Sequence, residues 1–155
     1  MAYLFIALSA VVGYGIVWRI PKRLTLLEMY TTSLFAVLVN TLFDVYLDLE
    51  MGLYGYFDKG ADWGMLLAIP AIFPPANILY LNFYPFGQPV LRHILYIAAW
   101  TGFALGYEAL ALSAGLLYYH GWRLAFSLFV YPPAMAAAAL HLKFLRWLRH
   151  RPANP

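Results

Sequence analysis

Residues 25–49 read TLLEMYTTSLFAVLVNTLFDVYLDL. At about 1.5 Å per residue, a helix of this length crosses the roughly 30 Å hydrocarbon layer of a bilayer. The run nevertheless carries Glu28, Asn40, Asp44 and Asp48. Carboxylates at membrane depth are costly and persist where they pair, accept hydrogen bonds or act. One stretch therefore poses both questions about this chain: how it sits in a membrane, and what its buried acids are for.

The composition agrees with the first half of that reading. Hydrophobic residues make up 64% of the 155 and charged residues only 11%, far from the balance of a water-soluble domain. Four more apolar runs flank the first, so the spans expected are about 2–18, 25–49, 63–83, 90–117 and 124–148. The fold class is all-α: a single domain, residues 1–155, forming a polytopic transmembrane bundle of five helices. The third run contains Pro70, Pro74 and Pro75, which could break it into a re-entrant or discontinuous element. The stretch EMGLYGYFDKGADWG after the second run, with its glycines and charges, reads as an exposed loop. YPFGQP and YYHGWR read as tight turns.

Charge gives the orientation. No basic residue precedes the first run, and Arg19, Lys22 and Arg23 follow it. A cleaved secretory signal has the opposite order, so a retained first helix with its N-terminus outside is expected. That puts Arg19, Lys22, Arg23, Arg92, Lys143, Arg146, Arg149 and Arg151 inside, against Lys59 and Arg123 outside. The bias is that of an N-out, C-in protein, with the cell membrane as its location. Tyr54, Tyr56, Trp63, Tyr118, Tyr119 and Trp122 suit an outer aromatic belt, and Trp18, Tyr80, Tyr84 and Trp147 an inner one.

Several motif classes are absent. With no cysteine, disulfides, thiolate metal sites and cysteine nucleophiles are excluded. There is no HExxH, GxSxG or phosphate-cradling glycine loop. No cofactor or metal is specified; His93 and His141 at inner depth are the one pair that could reach a haem iron. The basic, aromatic tail LKFLRWLRHRP suits anionic membrane lipids, and nucleic acid is not an expected partner.

The polar residues sort by depth. On an ideal helix Ser33, Asn40, Asp44 and Asp48 fall within a stripe roughly 80° wide, which should face protein. Asp48 is expected at the outer interface, where water solvates it, with Asp44 one turn deeper. Glu108 rises roughly 24 Å above Arg92, level with Asp44 and below His120. Asp44, Asp48, Glu108 and His120, with Asn40 and hydroxyls from Tyr107, Tyr46 or Tyr119, could converge on one outward-opening cavity. Carboxylates with an imidazole suit a divalent cation, a proton relay or general acid/base chemistry. A purely structural polar core uses the same residues. Glu28 points away from Asp44 and belongs to the inner end, near Arg19, Arg23, Arg92 or His141. It is expected to form an ion pair there or a polar cluster with Asn77 and Asn82. Gly102-Phe-Ala-Leu-Gly106 is a GxxxG face for close helix packing, in this chain or with a second copy or another membrane subunit.

Four motifs taken together, ExYTTxLF from Glu28, the Asp44/Asp48 pair, NILYLNFYP from Asn77, and Tyr107-Glu108, resemble a family of small multi-pass membrane proteins of spore-forming Firmicutes. The resemblance spans about residues 28–131. It implies location and architecture and, since that family has no assigned activity, no catalytic residues. The functional expectation is an integral membrane protein whose carboxylates line a polar cavity for an ion, a proton or a lipid headgroup. A membrane-embedded lipid-modifying enzyme and a structural or assembly subunit are the alternatives.

Overall fold

Each span begins or ends where local chemistry stops a helix. In the computed structural model, which describes residues 1–57 and 63–150, α1 covers Ala2–Arg19 and gives way to extended backbone at Ile20, as the following proline demands. Helix α2, Leu26–Asp44, starts on a reciprocal capping box. The Thr25 side chain accepts from the Glu28 amide, and the Glu28 carboxylate accepts from the Thr25 amide. Two orphan helix-end donors are satisfied at once. Past Asp44 the helix widens into a π-helical turn, Val45–Glu50, a geometry found often at functional sites. Lys59 and Arg151 lie outside the described residues, as does the side chain of Trp63.

Helix α3 runs unbroken from Trp63 to Asn82, its three prolines included. It is continuous rather than re-entrant because neighbours restore what the prolines remove. Pro74 has no amide for the Pro70 carbonyl, and the Tyr14 hydroxyl of α1 donates to that oxygen at 2.8 Å. The prolines also allow close approach: a Cβ on Gly13 of α1 would come within 3.2 Å of Pro75. Half of the α3 span is buried, against 11–17% in the other four helices. It is the central helix, flanked by α1, α2 and α5.

Helix α4, Val90–Ser113, is shorter than the expected run to Leu117. It ends in a Schellman motif: Gly115 takes φ +73°, its amide donates to Leu112 O, and Leu116 N donates to Ala111 O. The left-handed glycine turns the chain off the helix axis. Residues 117–119 are then free to form strand β2, Leu117–Tyr119, which pairs antiparallel with β1, Tyr54–Tyr56. Thus both turns expected to be irregular contribute a strand. Helix α5, Leu124–Arg149, completes the chain and packs on α4 and α2.

All five helices are long and apolar enough to cross a membrane. Their exteriors carry exposed Leu8, Val12, Leu38, Leu67, Leu95, Phe103 and Phe129, whereas Glu28, Asp44 and Glu108 are buried. Water would penalise that exposed surface and lipid does not, so the fold is that of a multi-pass membrane protein. The helices alternate in direction. One end carries the two strands; the other carries Arg19, Lys22, Arg23, Arg92, Lys143, Arg146 and Arg149. We call these the cap end and the basic end.

Candidate functional site

Asp44 sits where α2 passes into the π-helical turn and is 1% exposed. Its Oδ2 accepts from Asn40 Nδ2 at 2.6 Å, one helical turn back, and its Oδ1 accepts from the Tyr54 hydroxyl at 2.6 Å. The Tyr56 hydroxyl makes a longer contact to Oδ1 at 3.3 Å. Strand alternation explains the two tyrosines: residues two apart share a face of the ladder, and here that face lies on the carboxylate. Burial first, and then the charge of Asp44, pushes both phenols far above their ordinary range. They remain protonated and serve as donors.

Glu108 on α4 has a matching environment. Its Oε1 accepts from the Tyr119 hydroxyl at 2.6 Å and from Ser127 Oγ at 2.8 Å. Its Oε2 accepts from the Tyr131 hydroxyl at 2.7 Å. The Ser127 oxygen in turn accepts from Trp122 Nε1 at 2.9 Å, which fixes the orientation of the hydroxyl that donates to Glu108. Burial and the bond to Glu108 raise the Tyr119 phenol, so it too stays a donor.

The two carboxylates thus have separate donor sets, and the cap joins those sets. Tyr54 and Tyr119 are direct cross-strand partners, which puts their side chains on one face. One reaches Asp44 and the other Glu108. A second bridge runs through aromatic contact: the rings of Tyr54 and Trp122 meet edge-on at 5.7 Å, and Trp122 leads through Ser127 to Glu108. The cap is tied further at Leu53 O, which accepts from the amides of His120, Gly121 and Trp122 at 2.9–3.0 Å.

Other expected members of the site lie elsewhere. His120 is exposed, and its ring meets Tyr118. Tyr107 donates to Ser9 on α1 at 2.7 Å, tying α4 to α1 instead of touching the carboxylates. Tyr46 is 67% exposed. Asp48 is buried at 6% exposure, within the π-helical turn, rather than solvated at an interface. Tyr54, Tyr56, Ser127 and Tyr131 are the residues that the sequence did not single out for the site. The tyrosines fit the interfacial belt so well by composition that the period-two spacing of Tyr54 and Tyr56 was the one signal of their role.

At the basic end the expected cluster divides. Glu28, 3% exposed, pairs with α5: Arg146 Nε lies 2.8 Å away and Arg149 Nη1 3.8 Å. Neither Arg19, Arg23, Arg92 nor His141 is its ion-pair partner among the described residues. Asn82 instead clamps the α1–α2 turn, accepting from the Arg23 amide at 2.7 Å and donating to Pro21 O at 3.1 Å. Asn77 is buried apart, with its Nδ2 unpartnered. His93 bonds Tyr84 and Gln88 O through its two ring nitrogens, and His141 stacks on Phe35. Among the described residues no group of three or more His, Asp or Glu is placed to hold a metal ion. Around Gly102 and Gly106 nothing lies within 4 Å of an added Cβ; among the described residues no other helix packs against the GxxxG face.

Comparison with protein-family models, with curated proteins and with solved structures found no match.

Proposed function

We propose that this is a proton-responsive protein of the cell membrane, N-terminus outside, in which Asp44 and Glu108 take up and release protons beneath the tyrosine cap. The observation that carries the reading is the chemistry of the two donor sets. Both carboxylates are buried, and among the described residues every hydrogen bond they accept comes from a neutral hydroxyl or amide and neither has an ion-pair partner. Glu28, at the opposite end, has two arginines within 4 Å. A carboxylate offers about four acceptor positions, and each of these two has three donors. The remaining position suits a proton. A metal cation would need several further oxygen ligands.

The cap supplies the coupling. Each strand is held to one carboxylate by a tyrosine, so changing the charge of either acid changes the strength of that attachment. The orientation is supported by the same charge bias that the helices now carry as two distinct ends: among the described residues, seven basic residues lie at one and Arg123 at the other. The resemblance to the small Firmicutes membrane proteins adds nothing about activity.

The test is hydrogen exchange of the cap amides in reconstituted protein at acidic and neutral pH, corrected for intrinsic exchange. Wild type should show pH-dependent protection at residues 53–56 and 117–122. Asp44→Asn combined with Glu108→Gln should make that protection independent of pH, while His120→Gln should leave the dependence in place. PH-dependence that survives the double substitution would overturn the proposal.

A second reading, a subunit of a membrane assembly, is supported by the open Gly102/Gly106 face. A second copy or another helix could approach closely there, and this is compatible with the proton site.

A further inference from the structure

A cavity of about 410 Å³ opens at the basic end, between the α3–α4 turn, the α1–α2 turn and the last turns of α5. It plays no part in the carboxylate site, which lies at the other end of the helices. Three arginines line it: Arg23 from the α1–α2 turn, Arg92 from the first turn of α4 and Arg146 from α5. No acidic side chain lines it among the described residues.

The arginines are held in place. Arg92 Nη1 donates to Gln88 Oε1 at 2.7 Å. The Arg146 guanidinium lies 5.0 Å above the Phe86 ring, and that of Arg23 lies 6.0 Å from the Phe83 ring. Arg146 is also fixed through Nε by Glu28. Stacking on aromatic faces orients a guanidinium without neutralising it; Glu28 offsets the charge of Arg146, so among the described residues Arg23 and Arg92 carry the uncompensated charge of the cavity. Helix α4 adds a second source of positive potential. It starts at Val90 with no side-chain cap, and Gln88 and Arg92, on either side of that start, both line the cavity. The positive end of a 24-residue helix therefore meets the arginines.

We propose that this cavity is a binding site for a phosphate group, and that its source is the headgroup of an anionic phospholipid. Planar guanidinium groups match phosphate oxygens in bidentate fashion. Basic pockets between membrane helices at the level of the headgroups recognise such lipids. The position favours the lipid source: Asn82 and Val90 end the spans on either side, so the cavity opens where headgroups lie. The volume suits a small ligand rather than a macromolecule.

The experiment is calorimetric titration of the full chain in a neutral detergent with three probes: dioctanoyl phosphatidylglycerol, dioctanoyl phosphatidylcholine and inorganic phosphate. The expected result is saturable binding of phosphatidylglycerol, at least tenfold tighter than phosphatidylcholine. Arg92→Gln and Arg23→Gln should each weaken it about tenfold, the loss of one charge-assisted contact. Both variants keep the Glu28–Arg146 pair, and circular dichroism checks that they fold. Lys143→Gln is the control, since Lys143 is exposed at the same end of the molecule but outside the cavity. It should bind as wild type does. If inorganic phosphate displaces the lipid, the site reads the phosphate alone; if it does not, the site reads the phosphate with its glycerol or acyl chains. Equal affinity for the two lipids, or an equal loss in Lys143→Gln and Arg92→Gln, would overturn the proposal in favour of general surface charge.

Discussion

Replacing Asp44 in two ways separates its charge from its hydrogen bonds. Asparagine keeps the volume of the side chain. Its carbonyl oxygen can still accept from Tyr54, and its amide can meet Asn40 if Asn40 reverses its own amide to present oxygen. No donor is orphaned. What is lost is charge assistance on two short bonds, about 1 kcal/mol each, and this is offset in part because no charge remains buried. Asp44→Asn should therefore cost about 1 kcal/mol. Alanine removes both oxygens. Asn40 Nδ2 and the Tyr54 hydroxyl lose their acceptor, the buried Tyr56 hydroxyl loses its nearest one, and a void opens under the cap. Each orphaned buried donor costs about 1–3 kcal/mol. With solvent reaching the half-buried Tyr54, Asp44→Ala should cost about 3–5 kcal/mol in all. Reversible unfolding in mixed micelles, followed by helicity, gives both values. Equal destabilisation by the two substitutions would refute the assignment of Asp44 as the acceptor that holds β1.

Four further substitutions have outcomes set by the same geometry. Arg146→Ala leaves the buried Glu28 carboxylate with the Thr25 amide and a distant Arg149, and should cost about 2 kcal/mol after allowance for the partial exposure of Arg146. Arg149→Ala should cost under about 0.5 kcal/mol in the same unfolding assay. Gly55→Val places a Cβ against the Tyr118 ring, its cross-strand partner; cap amides should lose exchange protection while helicity is unchanged. Gly102→Leu meets open space, so it should leave monomer stability within about 0.5 kcal/mol. Energy transfer between labelled copies in vesicles should fall in that variant if this face joins two chains.

The architecture was legible because hydropathy and span length are properties of one segment at a time. The five spans and their alternating direction follow from counting residues along helices, and the same count puts Asp44 and Glu108 toward the end of the bundle that carries the cap. What counting cannot supply is which helices are neighbours. Helix α3 lies between α1 and α2, and α5 between α2 and α4, so Glu108 finds Ser127 and Tyr131 on α5 while Asp44 finds nothing on α4. The partner of Glu28 was hidden for the same reason: Arg146 is 118 residues away, and charge counting placed it at the right end among several equivalent cations. The cap is hardly legible because a three-residue strand offers one period-two repeat, Tyr54 and Tyr56, too short a run to mark a strand. Its tyrosines also satisfied a simpler rule about membrane interfaces. The α4 stop at Gly115 was overlooked because the apolar run continues through Leu117, whereas a left-handed glycine is a conformational signal that hydropathy ignores.

The most direct measurement is infrared difference spectroscopy of the reconstituted protein as pH is cycled, with Asp44→Asn and Glu108→Gln used to assign the carboxyl C=O band. Proton uptake at the capped pair predicts a protonated-carboxyl band that changes with pH and loses one component in each variant. A carboxyl region that responds to pH identically in wild type and both variants would contradict it.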